Sequence, residues 1–432
     1  MRQKTILACS SLVAVAAISM SLVAPQAMAA SPGRGSALQG SIDQITAAGG
    51  IGVVAESRQS GHHSTKVRKA VSGLGDIANN TAPMAESAFR VGSLTKTYVA
   101  IVLLQLAKEH DAAGKPLLSL DEPVSCILPS LFSPDSPQLT EKQQITVRQL
   151  LQHTSGIDDN QGYYQELLPP ATYTPDEQKK FLAAPSDIDK LINSPLDADL
   201  KFAPGSNNPQ GRPNWMYSDA GYDVAGLVIE AVTGHSWQDE VTTRIIDRLG
   251  LHGTSIPAPY GPTTLPVPHT QGYQALPGVP DLLDITEADR RTWVGASGQI
   301  ASTTADTNTF YRALFTPGKL LDADQIREMQ QTVPEGSESP GYSYGLGLEK
   351  TVLSCDAGKP DDAKGYWGHT GRVLGYVTLA GQTPDGKRNI TLSINGVYPA
   401  YNPDGSINQD ESDRKFQAVA AAASKAVDTA LC

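Results

Sequence analysis

Apolar positions recur along the chain in two rhythms, one of helices and one of strands. In the stretch Phe89 to Leu106 the apolar residues Val99, Val102, Leu103 and Leu106 have the spacing of a helix that buries one face. Leu38 to Ala48 reads as a second helix. Gly50 to Glu56 and Thr65 to Ser72 read as a hairpin around Gly61-His62-His63, and Ser87 to Val91 as a strand that leads into the helix that carries Val99 to Leu106. From about Gly114 to Asp284 the pattern changes to Pro-rich loops with short helical stretches, among them Val147 to His153 and Tyr222 to Thr233. Strand texture returns at Tyr344 to Lys350, Tyr366 to His369, Gly375 to Gln382 and Asn389 to Asn395. An Ala-rich helical pattern then runs from Lys415 to Leu431.

Strands near both ends with helices between them predict an α/β lobe, an antiparallel sheet flanked by helices, into which a mainly helical lobe is inserted. The expected bounds are about 38–112 and 285–432 for the α/β lobe and about 113–284 for the helical lobe. A cleft between two such lobes is the usual place for a ligand.

Residues 1–30 follow a different logic. Arg2 and Lys4 precede an apolar run that closes on Ala27-Met28-Ala29, the order of a secretory signal peptide. Residues 31–432 are therefore expected to be secreted and extracellular, and no later run has the roughly 18 apolar residues that span a bilayer. Cys9 precedes most of the apolar run, so no lipid anchor is expected. The net charge is −11, and about −13 once Arg2 and Lys4 are removed, which argues against nucleic acid or an anionic membrane as partner. The eight histidines show no H-E-x-x-H or other ligand spacing, so neither a metal nor another cofactor is expected. Past the leader, Cys126, Cys355 and Cys432 remain, an odd number. A bridge from Cys355 to Cys432 would pin the closing helix, although spacing alone does not select that pair. Cys126 reads as a buried thiol.

Two serines compete as nucleophile. Gly341-Tyr342-Ser343-Tyr344-Gly345 fits G-x-S-x-G, but that motif needs a strand turning sharply into a helix, and the residues after Ser343 alternate like a strand. Ser93-Leu94-Thr95-Lys96 is better placed, since Ser93 follows a glycine, ends a strand and opens a buried helix. The pattern recurs at Ser412-Asp413-Arg414-Lys415 without that setting. Residues i and i+3 share a helix face, so the Lys96 amine can reach the Ser93 hydroxyl and, if desolvated, accept its proton. Acyl transfer also needs a proton for the leaving group and donors for the oxyanion. Tyr217, in Trp215-Met216-Tyr217-Ser218-Asp219, and the strand-like Gly368-His369-Thr370-Gly371 could supply them.

The order Ser93-x-x-Lys96, Tyr217-Ser218-Asp219, His369-Thr370-Gly371 resembles that of the penicillin-recognising serine hydrolases, the serine β-lactamase and DD-peptidase superfamily. Within it the chain is most similar to secreted D-alanyl-D-alanine carboxypeptidases of Streptomyces type, relatives of class C β-lactamases. Further support comes from ITVRQLLQHTSGI at 145–157, TGHSW at 233–237, WVGASGQIASTTAD at 293–306, YGLGL at 344–348 and LSC at 353–355. The resemblance implies the two-lobed fold and an acyl-enzyme at Ser93. Lys96 would be the base, Tyr217 the proton relay, and the backbone N–H groups of Ser93 and Arg372 the oxyanion donors. It places His369 where relatives carry lysine, sets Thr370 against the substrate carboxylate beside Gly371 and Arg372, lines the cleft with Trp293, with Tyr163 or Tyr164 near it, and pairs Cys355 with Cys432. The implied partners are peptidoglycan stem peptides or another small acyl donor, with β-lactams as inhibitors, and the implied state is a monomer.

Two departures open alternatives. Asp219 stands where most relatives have asparagine, which exchanges an amide donor for an acceptor and brings an esterase or β-lactamase on the same scaffold into play. Glu349-Lys350 stands where the nearest DD-peptidases carry arginines that bind the terminal carboxylate, leaving Arg372 to supply that charge. A wall-binding or β-lactam-sequestering protein with little turnover is the reading from another class.

Overall fold

The computed structural model describes residues 37–61, 64–159, 169–170, 172–184, 188–257, 264–276, 282–287, 295–334 and 342–432. The leader at 1–30 and the cleft aromatics Tyr163, Tyr164 and Trp293 lie outside the described residues. An eight-stranded antiparallel sheet forms the centre. Its strands are β1 (Gly52–Ser60), β2 (Thr65–Gly73), β3 (Val333–Pro334), β4 (Tyr342–Tyr344), β5 (Glu349–Thr351), β6 (Tyr366–Val373), β7 (Tyr376–Gln382) and β8 (Arg388–Ile394), in the order β2-β1-β8-β7-β6-β5-β4-β3. The first hairpin thus joins the last strand, with Val53 opposite Ile394, and the two halves of the sequence close one sheet.

Helices cover both faces, because strands buried on two sides need two apolar layers. On one face α1 (Ala37–Ala47) and α5 (Gln409–Leu431) pack Ile42, Ile45, Val419, Ala423 and Val427 against Val53, Ile390 and Leu392. On the other lie α2 (Thr95–Leu106), α3 (Asp219–Thr233) and α4 (Thr304–Leu314), the last with Phe310 stacked on Tyr98 at 3.7 Å. The sequence pattern marks one buried face on α2, yet every residue of it except Gln105 is buried. Ala100, Ile101 and Leu104 fill the rest of the circumference, which makes α2 a central helix and not a surface one.

Boundaries move where local chemistry sets them. α3 begins at Asp219 because the Ser218 hydroxyl caps it through the Gly221 N–H, and α5 begins at Gln409 behind the Asn408 cap. The strand expected over Ser87 to Val91 is only Phe89–Arg90, paired with Ala301–Ser302. Ser343 sits in β4 opposite Lys350, with no strand-to-helix turn, so the G-x-S-x-G context is absent. Cys126 is exposed and unbonded, contrary to the buried thiol expected, because its short helix Val124–Ile127 turns only Val124 inward. Asn389 is buried and donates to the Asn308 carbonyl at 2.8 Å. No described helix is long and apolar enough to cross a membrane, and no described cluster of His, Cys, Asp or Glu could hold a metal.

Candidate active site

Ser93 occupies a single 3-10 turn, Gly92–Leu94, that runs straight into α2. Gly92 holds φ +57°, and a methyl there would lie 2.8 Å from the Arg372 nitrogen. Across from it, a methyl on Gly371 would lie 1.9 Å from the Val91 carbonyl oxygen. Both positions need glycine, and the two together let the backbone of β6 lie against the turn that bears Ser93.

β5 pairs with β6 only over Tyr366–Gly368, so the edge of β6 from His369 onward faces that turn. Successive N–H groups of a strand leave opposite edges. The Thr370 N–H leaves toward β5, where it donates to Glu349, so the Arg372 N–H two residues on is directed to the same edge, toward Ser93. The edge strand and the first turn of a helix thereby bring two backbone donors toward one point, an oxyanion site in outline.

Lys96 is fully buried beneath the serine. Its Nζ donates to Ser93 Oγ at 3.1 Å, to Asp219 Oδ1 at 2.5 Å and to the Ser297 carbonyl at 2.9 Å. Three acceptors account for all three hydrogens of an ammonium group. The lysine therefore stands as a donor to the serine, with Asp219 as its counter-ion, and not as a free base. Asp219 accordingly faces Lys96 in the cluster beneath Ser93. Its Oδ1 is engaged by this ion pair. Tyr217 closes the other side, its ring centre 4.7 Å from Lys96 Nζ.

Residues that the motifs did not single out hold this group in place. The Asp159 carboxylate accepts from the Ser218 hydroxyl at 3.0 Å, the Ala220 N–H at 3.1 Å and the Asp219 N–H, and so fixes the start of α3. Burial and then the Asp219 charge push Asp159 well above the usual carboxylate range, against the three hydrogen bonds that favour its anion. Asp223 accepts from the Ser297 N–H at 3.2 Å and so sets the carbonyl that receives Lys96. His153, at φ 61°, accepts the Ser218 N–H on Nδ1 at 3.1 Å. Its proton is therefore on Nε2, which has no hydrogen-bond partner among the described residues, and the imidazole ring centre lies 4.3 Å from that of Tyr217 and 4.6 Å from that of Tyr344. His153 and Asp159 belong to a run, His153-Thr154-Ser155-Gly156 through Asp159, that is visible in the sequence. Their roles depend on contacts 60 residues and more away.

His369, expected in the place of a lysine, is a buried neutral ring. Burial and then the Lys96 charge press it from an ordinary 6.5 down to about 3. Its Nδ1–H faces the Thr370 carbonyl at 2.5 Å and Glu349 at 3.2 Å, and its Nε2 accepts from the Tyr344 hydroxyl at 2.8 Å. It can orient its neighbours but brings no charge. Thr370 gives both its N–H and its hydroxyl to Glu349, at 2.9 and 2.8 Å. The Arg372 guanidinium, expected to meet a carboxylate, lies 4.4 Å over the Phe416 ring of α5. Cys355 and Cys432 are bonded across 77 residues.

The family model described as Beta-lactamase matches residues 51–413. Esterase EstB of Burkholderia gladioli is 27% identical over 350 residues, 73% of this chain and 82% of its own. Penicillin-binding protein 4* of Bacillus subtilis is 23% identical over 71% of this chain and 61% of its own length. Among solved structures, a D-stereospecific amidohydrolase from Streptomyces sp. superposes with a TM-score of 0.68 at 30% identity, over 89% of this chain and 97% of that one.

Proposed function

Because the chain belongs to the Beta-lactamase family and its relatives include an esterase, a penicillin-binding protein and an amidohydrolase, we propose that it is a serine hydrolase that opens amide or ester acyl donors through an acyl-enzyme at Ser93, secreted behind the leader at 1–30. The observation that carries this reading is the chain Ser93–Lys96–Asp219, a hydroxyl 3.1 Å from a buried ammonium whose second contact is a carboxylate at 2.5 Å. A proton passed from Lys96 to Asp219 leaves an amine that takes the Ser93 proton as its oxygen attacks the carbonyl carbon. The oxyanion forms between the N–H groups of Ser93 and Arg372. Tyr217, beside Lys96, returns the proton to the leaving nitrogen or oxygen, and water then cleaves the ester at Ser93.

The matched amidohydrolase acts D-stereospecifically, which supports donors with a D-residue at the acyl carbon. Carboxypeptidase action on D-alanyl-D-alanine ends is the narrower form of this reading, supported by the penicillin-binding relative. A β-lactam acylates the same serine, and its tethered leaving group stays in the site.

Intact-protein mass spectrometry of residues 31–432 after brief exposure to benzylpenicillin, beside Ser93→Ala, tests the reading. Release of D-alanine from diacetyl-Lys-D-Ala-D-Ala and hydrolysis of p-nitrophenyl acetate are measured in parallel. An adduct lost in the variant supports the Ser93 acyl-enzyme, and D-alanine release supports the carboxypeptidase form. Ester turnover without D-alanine release assigns an esterase. No adduct and no turnover of either substrate overturns the proposal.

A further inference from the structure

Glu349 reaches the active site by register. It lies opposite Gly368 on one side and Tyr344 on the other, which carries its side chain alongside His369 and Thr370 at the point where β5 stops pairing with β6. The residue is 8% exposed. Its two oxygens are divided between Thr370 Oγ1 at 2.8 Å and the Thr370 N–H at 2.9 Å, with His369 Nδ1 at 3.2 Å from the first. A hydroxyl and a backbone N–H converging on one carboxylate make an anion seat. In this chain the seat is filled by the chain's own carboxylate.

The nearby cations serve other groups. Lys96 binds Asp219, Lys350 donates to the Asp361 carbonyl at 2.9 Å and lies 5.3 Å over the Trp367 ring, and Arg372 lies over Phe416. A donor ending in a carboxylate would have to displace Glu349 or lie against it, and like charges side by side at a binding face are strongly disfavoured.

We propose that Glu349 is a specificity-determining residue, an internal carboxylate in the anion seat of Thr370 that turns the site toward donors whose leaving group is uncharged or cationic, such as amides and esters, and away from leaving groups that carry a carboxylate. This rests on the Ser93 acyl-enzyme reading and narrows its substrate class.

The test compares diacetyl-Lys-D-Ala-D-Ala with the same peptide ended as a carboxamide, by kcat/KM, in the wild type and in Glu349→Gln. The wild type is expected to favour the carboxamide by about tenfold or more, as for a rejected like charge. Glutamine keeps the shape, removes the charge and offers an N–H, so Glu349→Gln is expected to lower that preference by about tenfold. Equal rates on the two peptides, or a wild-type preference for the carboxylate, overturn the proposal. So does an unchanged ratio in the variant. If the variant does not fold, the wild-type ratio alone decides. Absence of turnover on both peptides, with no Ser93 adduct from benzylpenicillin and no hydrolysis of p-nitrophenyl acetate, overturns the acyl-enzyme reading and this inference with it, whereas ester hydrolysis lost in Ser93→Ala, together with an unmoved peptide ratio, overturns only the role of Glu349.

Discussion

A buried lysine beneath an active serine can be a base or a charge, and the three acceptors around Lys96 decide how this one is kept. An ammonium with three partners is stable in the interior, and Asp219, 14% exposed on its side chain, sits where a proton could leave. Lys96→Ala is expected to lower kcat/KM on p-nitrophenyl acetate by about 10²- to 10⁴-fold, with far-ultraviolet dichroism unchanged, because it removes proton transfer. Retained activity would assign the base to Tyr217. The histidines give a second expectation. His369 falls to about 3 and His153 well below 6.5, so both are neutral in the native protein, and the unfolded chain binds more protons below 6.5. Their contribution to stability is complete above that value and is lost as the pH falls below it, for His369 down to about 3, by up to about 1.4 kcal/mol per pH unit for each ring. Urea midpoints should therefore fall between about pH 7 and about pH 5, and the fall should be smaller in His369→Gln. Ser93 and Lys96 could be read from the sequence because three residues on a helix make one face. The Asp219 and Ser297 contacts lie 123 and 201 residues from Lys96, and nothing in local spacing reports such distances.

At the scale of elements, the site depends on how closely β6 lies against the turn before α2. Gly92 and Gly371 set that approach, the first by a left-handed φ and the second by the lack of a side chain. Gly92→Ala should cost about 1–3 kcal/mol of stability from the strained backbone, and it should slow acylation of Ser93 beyond what unfolding explains, because the new methyl pushes at the Arg372 nitrogen. Rates of benzylpenicillin adduct formation, corrected for the folded fraction, check this, and an unchanged rate would separate the Arg372 N–H from the oxyanion site. Elements with a clear period could be read, and β1, β2, β6, β7 and β8 fall close to their expected places. The α2 pattern was misleading because a helix apolar on every side still shows one apolar stripe. The start of α3 was missed by three residues because Asp159, far away in sequence, completes the cap that Ser218 begins.

The whole molecule is a sheet closed by its first and last strands, with α5 laid over one face and tied at its end by Cys355–Cys432. A bridge across 77 residues removes enough freedom from the unfolded chain to be worth about 4 kcal/mol in a chain-entropy account. Reduction, or Cys432→Ser, should therefore lower the melting temperature while Ser93 acylation at room temperature persists, and a melting curve indifferent to reductant would show that the helix is held by packing alone. The sheet built from both termini could be anticipated from strand texture at both ends. The division of the helices between its faces could not, since that is decided by which side chains meet.

The turn at Ser93, the start of α3 and the strand carrying Arg372 come from three remote stretches of the chain. If Ser93 is acylated as proposed, a fluorescent penicillin would colour only molecules in which all three have found one another, and a gel of a crude sample would count the correctly assembled copies and, during refolding, time their arrival.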